Sequence, residues 1–574
     1  MAQSNDFVLA ENYFRNGEFE KASLFYQRLS EKSPYNNVYL KRLIACYQEL
    51  GAFPKAENLL LSKLKQQPNL SFLNVLVGYN FERQQQIEKA TEYYNKAINS
   101  IDEKPSYAAT IAGLFKEYSK LDYAIEAYQK ASAGNKNSNY GFQIAQIYGE
   151  KGDFDQMFNE YINFLDQNEN QLNTVKRFTA RYISDDSEDE NNILFKKALL
   201  RKSASNPKEE WNDLLSWLFT KQKEYSKAFI QEKALYARNA DNLAGVNQLG
   251  QIAFMNKDYQ AAKQCFDFVI DKTSYPRDKF NAIHMNLLID VETKNPNVEQ
   301  QFQDLFTEYG INNNTFSIQM AYADFLTFDK NQPKKAKEVL EQALPFATSN
   351  YQKGKAKIKL ADVLVYQGLY NKALIYYTQV QNQFQNHSLA QEARFKVAQT
   401  SYFKNDFKWA KAQLKVLKKS ASQLIANDAA ELFLTISDNE PKDSLPNGLQ
   451  QYAKADLLAF QNKNDEAIAI LDQVLVDFKG QSIEDEALFK LGKIYTKKKI
   501  FNEAISNYEK ILTLDKEGIY VDDVLYYMAE LYKNELNQPE KASEYYQKII
   551  FEHPSSIYLV DARKKYRKLR GDNI

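Results

Sequence analysis

The chain is poor in the residues that build small sites. Of 574 residues, two are cysteine (Cys46, Cys265), three are histidine (His284, His387, His553) and three are tryptophan. Two cysteines in a chain this long exclude a disulfide framework. Glycine (18) and proline (13) together reach about half their usual share. A fold of many strands and tight turns needs more of both. Charge of one sign is also missing: 74 basic residues balance 74 acidic ones. No global field therefore favours nucleic acid or an anionic membrane. No run approaches eighteen apolar residues, so no transmembrane helix is expected. Catalytic signatures are absent too. Gly354-Lys355 lacks the upstream glycine of a phosphate-binding loop.

What is present is aromatic and charged. Tyrosine numbers 39 and phenylalanine 36, apolar residues make up 44% and charged residues 26%. Few breakers with ample core material predict an ordered, mostly helical protein. Within it a phrase recurs. Phe19-Glu20-Lys21-Ala22 with Tyr26 returns as Phe53-Pro54-Lys55-Ala56 with Leu60. Ile87-Glu88-Lys89-Ala90 with Tyr94 and Leu121-Asp122-Tyr123-Ala124 with Tyr128 follow, and successive alanines are 34 apart. Twelve residues before each alanine stand Ala10, Ile44, Gly78 and Ala112; nine before stand Tyr13, Tyr47, Phe81 and Phe115. Small and aromatic residues three apart share one helix face. The spacing predicts paired helices, the small residue admitting the second helix and the aromatic filling the space beside it. Gly17, Gly51 and Gly152 fall in the turns, where a helix C-terminus uses positive φ.

A 34-residue helix–turn–helix with these residues at these offsets resembles the tetratricopeptide repeat family. The resemblance implies an all-α superhelical solenoid of about fourteen or fifteen helical hairpins. Further anchors are Met157, Ala228, Ala262, Ala336, Ala373, Ala410, Ala467, Ala504 and Ala542, the later ones 37 or 38 apart apart from a 57-residue gap after Ala410. The expected organisation is a 34-residue array over 1–165, a degenerate array over 166–310, a 37-residue array over 311–437, a loop and hinge at 438–448, and a final array with a basic capping helix over 449–574. The longer units of roughly 350–570 resemble tetratricopeptide proteins of bacterial envelopes, the outer-membrane assembly lipoproteins and periplasmic division coordinators.

In a solenoid, distance along the sequence becomes distance in space. The three histidines are then too far apart to form a metal site or a triad. The same separation keeps Cys46 from Cys265, since a disulfide needs Cα atoms within about 7 Å; two unpaired structural thiols are expected. His387 and His553 read as solvated or capping residues, and His284 as a partly packed helix residue. The acidic run Ser184 to Glu190 lacks the glycine and terminal glutamate of a calcium loop, and reads as a solvated loop that caps the following helix. The basic cluster Arg563 to Arg570 keeps Ala562, Tyr566 and Leu569 on one face, as a capping helix does.

The resemblance implies a protein or peptide partner in a groove lined by first-helix positions 2, 5, 9, 12 and 13. These positions give Phe7, Phe14, Arg15, Phe72, Tyr79, Arg83, Phe142, Tyr366, Phe395, Tyr402, Phe403 and Phe489. Groove aromatics would anchor an extended segment. The clamp by which one subfamily grips a C-terminal carboxylate is missing, with Phe7 and Glu11 at its first two positions. The expectation is a non-enzymatic scaffold without catalytic residue, metal, cofactor or nucleic acid, placed in the periplasm or cell envelope of a bacterium. Two alternatives remain: a surface glycan-binding protein on the same scaffold, and a cytoplasmic regulator. Trp211, Trp217 and Trp409 lie in helical segments rather than in the large loops a glycan binder would use. Met1-Ala2-Gln3-Ser4 leads almost directly into the first helix, and no signal peptide is read there. It fits either a native start or an exported chain restarted with Met, for which Ala2-Gln3 resembles a cleavage junction.

Overall fold

In a computed structural model, residues 2–134, 139–240, 242–420, 423–440, 448–514 and 518–572 are described. Among them there are 32 α-helices and no strand. Most of the helices pack in consecutive pairs; Glu190–Ser205 packs instead on Phe154–Gln167, and Gln423–Asp438 and Leu559–Arg570 stand outside the pairs. The chain divides into two compact units, residues 1–265 and 266–574, with the boundary inside the helix Tyr259–Lys272.

In the first unit the repeat register becomes packing. Ala22, Ala56, Ala90 and Ala124 are all buried, as are Tyr26, Leu60, Tyr94 and Tyr128 one turn later. Each large buried side chain contributes about 1.5–3 kcal/mol. A Cβ on Gly78 would stand 2.5 Å from the Tyr94 ring, so the small position sets how close the two helices come. Where Met157 replaces the anchor alanine it is fully buried, and glycine at 149 makes room: a Cβ there would lie 2.8 Å from Met157 Sδ. The degenerate stretch holds a two-turn helix, Leu172–Thr179, and a longer one, Glu190–Ser205. Asp189, at the end of the acidic run, caps the latter: its Oδ1 accepts from Asn191 N at 2.9 Å and from Asn192 N at 3.4 Å.

The turns explain the low glycine content. Gly17, Gly51 and Gly152 have φ of 76°, 69° and 78°. The same left-handed turn position recurs as Gln85, Ser119, Lys223 and Lys257 in the first unit, and as Asn331, Asn405, Asn462 and Lys499 in the second. Hairpin packing therefore imposes this conformation on residues that adopt it at a cost of about 1–2 kcal/mol.

In the second unit the 57-residue gap is filled by a helix, not by a loop alone. The helix Gln423–Asp438 packs on Phe407–Ser420 where the first helix of another hairpin would stand, and no second helix pairs with it. Leu449–Phe460 then packs against Ser388–Phe403, so first-helix stacking resumes beyond the insertion. Of the expected hinge 438–448, residues 441–447 lie outside the described residues. The helix Leu559–Arg570 closes the array with Ala562 buried and Tyr566 and Leu569 packed on the last core cluster. Cys46 and Cys265 are buried and unpaired. His387 is an N-cap, its Nδ1 accepting from Leu389 N at 3.1 Å. Burial, with a smaller contribution from Lys359, lowers the imidazole of His284 to about 4.

Candidate partner-binding groove

A second-helix tyrosine and a first-helix carboxylate recur as a pair along the stacked first helices. Tyr26 donates to Glu11 at 2.6 Å, Tyr94 to Glu82 at 2.9 Å and Tyr377 to Asp362 at 2.6 Å. Tyr546 donates to Glu530 in the same way. The carboxylate then meets a cation about one repeat later. Glu11 pairs with Arg42 at 2.9 Å, Asp362 with Lys396 at 3.0 Å, Asp456 with Lys490 at 2.6 Å and Glu530 with Lys565 at 2.7 Å. Asp324–Lys359 and Glu82–Lys120 belong to the same series. The zero net charge thus has a local counterpart, acid–base pairs joining neighbouring repeats within each compact unit. Sequence reading missed it, although the signal was there: Asp324, Asp362, Asp456 and Glu530 each precede a lysine by 34 or 35 residues.

The sequence-derived groove residues divide by burial. In the first unit Phe7 and Phe14 are half-buried and Arg15 is exposed. Phe7 leans on Tyr39 at 5.5 Å, and Phe14 lies under the Arg42 guanidinium at 4.7 Å. Tyr79 stacks on Tyr118 at 3.9 Å, and Arg83 reaches Glu49 at 2.9 Å. Phe142 is enclosed by Tyr161, Phe164 and Phe178 at 5.5, 5.5 and 4.8 Å. Phe72 is buried against Tyr107. In the second unit Phe395 is half-buried, while Tyr366, Tyr402, Phe403 and Phe489 are buried. Those four, with Phe72, pack within the array.

The chain itself covers three of them. The turn after Leu449–Phe460 lies on the C-terminal ends of the first helices Phe316–Phe328, Asn350–Tyr366 and Ser388–Phe403. Phe460 meets Phe328 at 5.5 Å and Phe403 at 5.8 Å. Gln461 donates to the Tyr366 carbonyl at 2.8 Å and Asn462 to the Phe328 carbonyl at 3.2 Å. Lys463 stands 6.0 Å from the centre of the Tyr366 ring. Tyr402, beneath, donates to Asp456 at 2.9 Å. No repeat period announces this contact, which joins residues on either side of the inserted helix.

Two open cavities flank the helix Ile483–Lys497 beyond that turn. One, of about 350 Å³, is walled by Tyr402, Phe403 and Phe460 and lined by Lys490, Lys493 and Lys497 against the single carboxylate of Asp456. The other, of about 450 Å³, is lined by Lys493 and Lys497 with Tyr508, Tyr527, Glu530, Asn534 and Glu535. Burial alone would lower the Lys490 ammonium, but Asp456 outweighs it and the net shift is upward. Lys493 reaches Glu431 of the inserted helix at 3.3 Å, and Lys497 donates to Asn462 Oδ1 at 3.0 Å. The three lysines follow i, i+3, i+7 spacing and so share one face. This arrangement can hold acidic groups on the ammonium row and a ring or aliphatic chain between the tyrosines. Among the described residues no cluster of three or more His, Cys, Asp or Glu could hold a metal ion, and no helix is long and apolar enough to cross a membrane.

Among solved structures, the chain is similar to the APC/C hetero-tetramer Cut9–Hcn1 (14% identity, TM-score 0.23, covering 99% of this chain and 96% of that one). It is similar also to Naa15/Naa10 bound to HypK-THB (11%, 0.27, 100% and 97%) and to yeast Tom70 (15%, 0.28, 98% and 99%). A TPR repeat-containing protein of Methanocaldococcus jannaschii is 25% identical over 166 residues, 28% of this chain. The chain spans about 29% of that relative's length. Residues 452–518 and 523–556 match two family models, each described as a tetratricopeptide repeat. The helical hairpins that carry the two cavities therefore include tetratricopeptide repeats.

Proposed function

We propose that the protein is a non-enzymatic scaffold that binds an extended segment of a partner protein in the groove of its second unit. The observation that carries this reading is the row Lys490, Lys493 and Lys497, set between an aromatic-walled cavity on each side. The segment that fits it alternates acidic and aromatic or aliphatic side chains. Tetratricopeptide repeats commonly serve protein–protein contact, which supports the reading. The half-buried or exposed residues Phe7, Phe14, Arg15, Tyr79, Arg83, Phe142 and Phe395 are a second set of proposed contacts. We place the scaffold in a bacterial cell-envelope complex on the strength of its longer, 37-residue units.

The test is an array of twelve-residue peptides of graded charge and aromatic content, probed with the full chain and with Lys493→Gln/Lys497→Gln. Retention of acidic, aromatic-bearing peptides by the wild type, lost in the variant, is the expected result. Equal retention of basic and acidic peptides, or no effect of the variant, would overturn the reading.

A further inference from the structure

A cavity of about 550 Å³ opens in the first unit, where the repeat register is weakest. Its walls are the helices Leu172–Thr179, Glu209–Lys221 and Ala244–Met255, with residues of Tyr225–Arg238 between the last two. Five carboxylates line it, Glu169, Glu209, Glu210, Asp213 and Glu232, against the single ammonium of Lys176. The ring of Trp217 forms part of the wall.

The lining is not balanced as those acid–base pairs are. Lys176 is engaged by Asp213, and Glu169 is held by Lys208 at 2.7 Å. Glu232 has a hydroxyl as its partner, that of Ser216. It lies so close to Gly245 that a Cβ there would overlap its carboxylate. Glu210 is 9% exposed, and among the described residues it has no hydrogen-bond or ion-pair partner. Glu210 is thus nine-tenths buried as a residue, while its carboxylate opens onto the cavity with no cation beside it. Burial also raises Glu232; Asp213 adds to the rise, and Ser216 and Lys176 oppose it without cancelling it.

We propose that this cavity binds an organic cation, an alkylammonium or guanidinium group, with its charge toward Glu210 and Glu232 and its chain against Trp217. A metal ion fits poorly. Calcium takes six to eight oxygens at about 2.3–2.6 Å, whereas no three acidic, His or Cys residues among the described residues converge on one point. A cavity of this size with spread carboxylates suits charges separated along a chain, and an indole face adds cation–π attraction. The cation can come from a free polyamine or from lysines and arginines of a partner segment.

Calorimetry on the full chain at low salt tests this with two probes, spermidine and an end-blocked pentalysine. Saturable binding of either is expected. It should weaken at least tenfold in Glu210→Gln/Glu232→Gln, which keeps side-chain shape, and tighten severalfold in Lys176→Gln, which releases Asp213. Tighter spermidine binding identifies a free amine as the source; tighter pentalysine binding identifies a partner segment. Absence of saturable binding by both probes, unchanged affinity in the double variant with its helicity intact, or stoichiometric displacement by magnesium overturns the proposal.

Discussion

Glu486 makes the groove helix pH-sensitive. Its side chain is 3% exposed in the first turn of Ile483–Lys497 and accepts from Asn439 Nδ2 at 2.8 Å, which ties the end of the inserted helix to the helix bearing the lysine row. Oε2 has no partner. Burial is the main cause of a rise in its carboxyl from 4.5 to about 7; Asp485 and Asp438 add to it, and hydrogen bonds from backbone and Asn439 oppose it. In the unfolded chain this carboxyl ionises near 4.5, while folded it keeps its proton up to about 7. Between those values the folded state binds the extra proton, so stability is full below 4.5, falls as pH rises to about 7 and is flat above. The difference amounts to about 3 kcal/mol at pH 8. Glu486→Gln keeps an oxygen to accept from Asn439 and removes the charge. Hydrogen exchange of amides in 483–497, corrected for intrinsic rates, should lose roughly a hundredfold protection between pH 5 and 8 in the wild type. It should lose far less in the variant, which is the better protected at pH 8. Wild-type protection independent of pH, or a variant less protected at pH 8, would refute the reasoning.

Three other substitutions probe the packing. Tyr402→Phe removes the buried donor to Asp456 and should lower stability by about 1–2 kcal/mol in urea titrations, with Lys490 still paired. Gly492→Ala places a Cβ into the Tyr508 ring and should cost about 1–3 kcal/mol, read as a lower thermal midpoint. Lys257→Gly relieves a left-handed residue (φ 63°) in an exposed turn and should raise stability by up to about 1 kcal/mol in the same assay.

The register of Ala22, Ala56, Ala90 and Ala124 made the hairpins legible, because one small buried position per repeat governs how closely two helices approach. The lone Met157 could be placed by its spacing, but not its compensation by Gly149, since that depends on a contact eight residues away on the partner helix. The inserted helix 423–438 has no period and read only as a gap, so the closure of Phe460 onto Phe328 and Phe403 was out of reach. Tyr402 and Phe403, groove anchors by position, are buried under that closure and still wall the lysine-lined cavity. The lysine row is legible by position, since Lys493 and Lys497 stand at groove positions 9 and 13 of their unit, but aromatic side chains give the stronger sequence signal for a groove anchor. The acidic cavity joins a stretch without repeat register to the units anchored at Ala228 and Ala262, and only the fold gathers Glu169, Glu210 and Glu232.

Entry of a partner segment into the second-unit groove can be read most directly by site-specific photo-crosslinking in a native extract. A benzophenone side chain is placed at Asn534, exposed beside the tyrosine cavity, and as a comparison at Val476, 72% exposed on the second helix Asn464–Asp477. A discrete crosslinked protein is expected from position 534, absent from 476 and lost with Lys493→Gln/Lys497→Gln. The same product from both positions, or one indifferent to the two lysines, would contradict it.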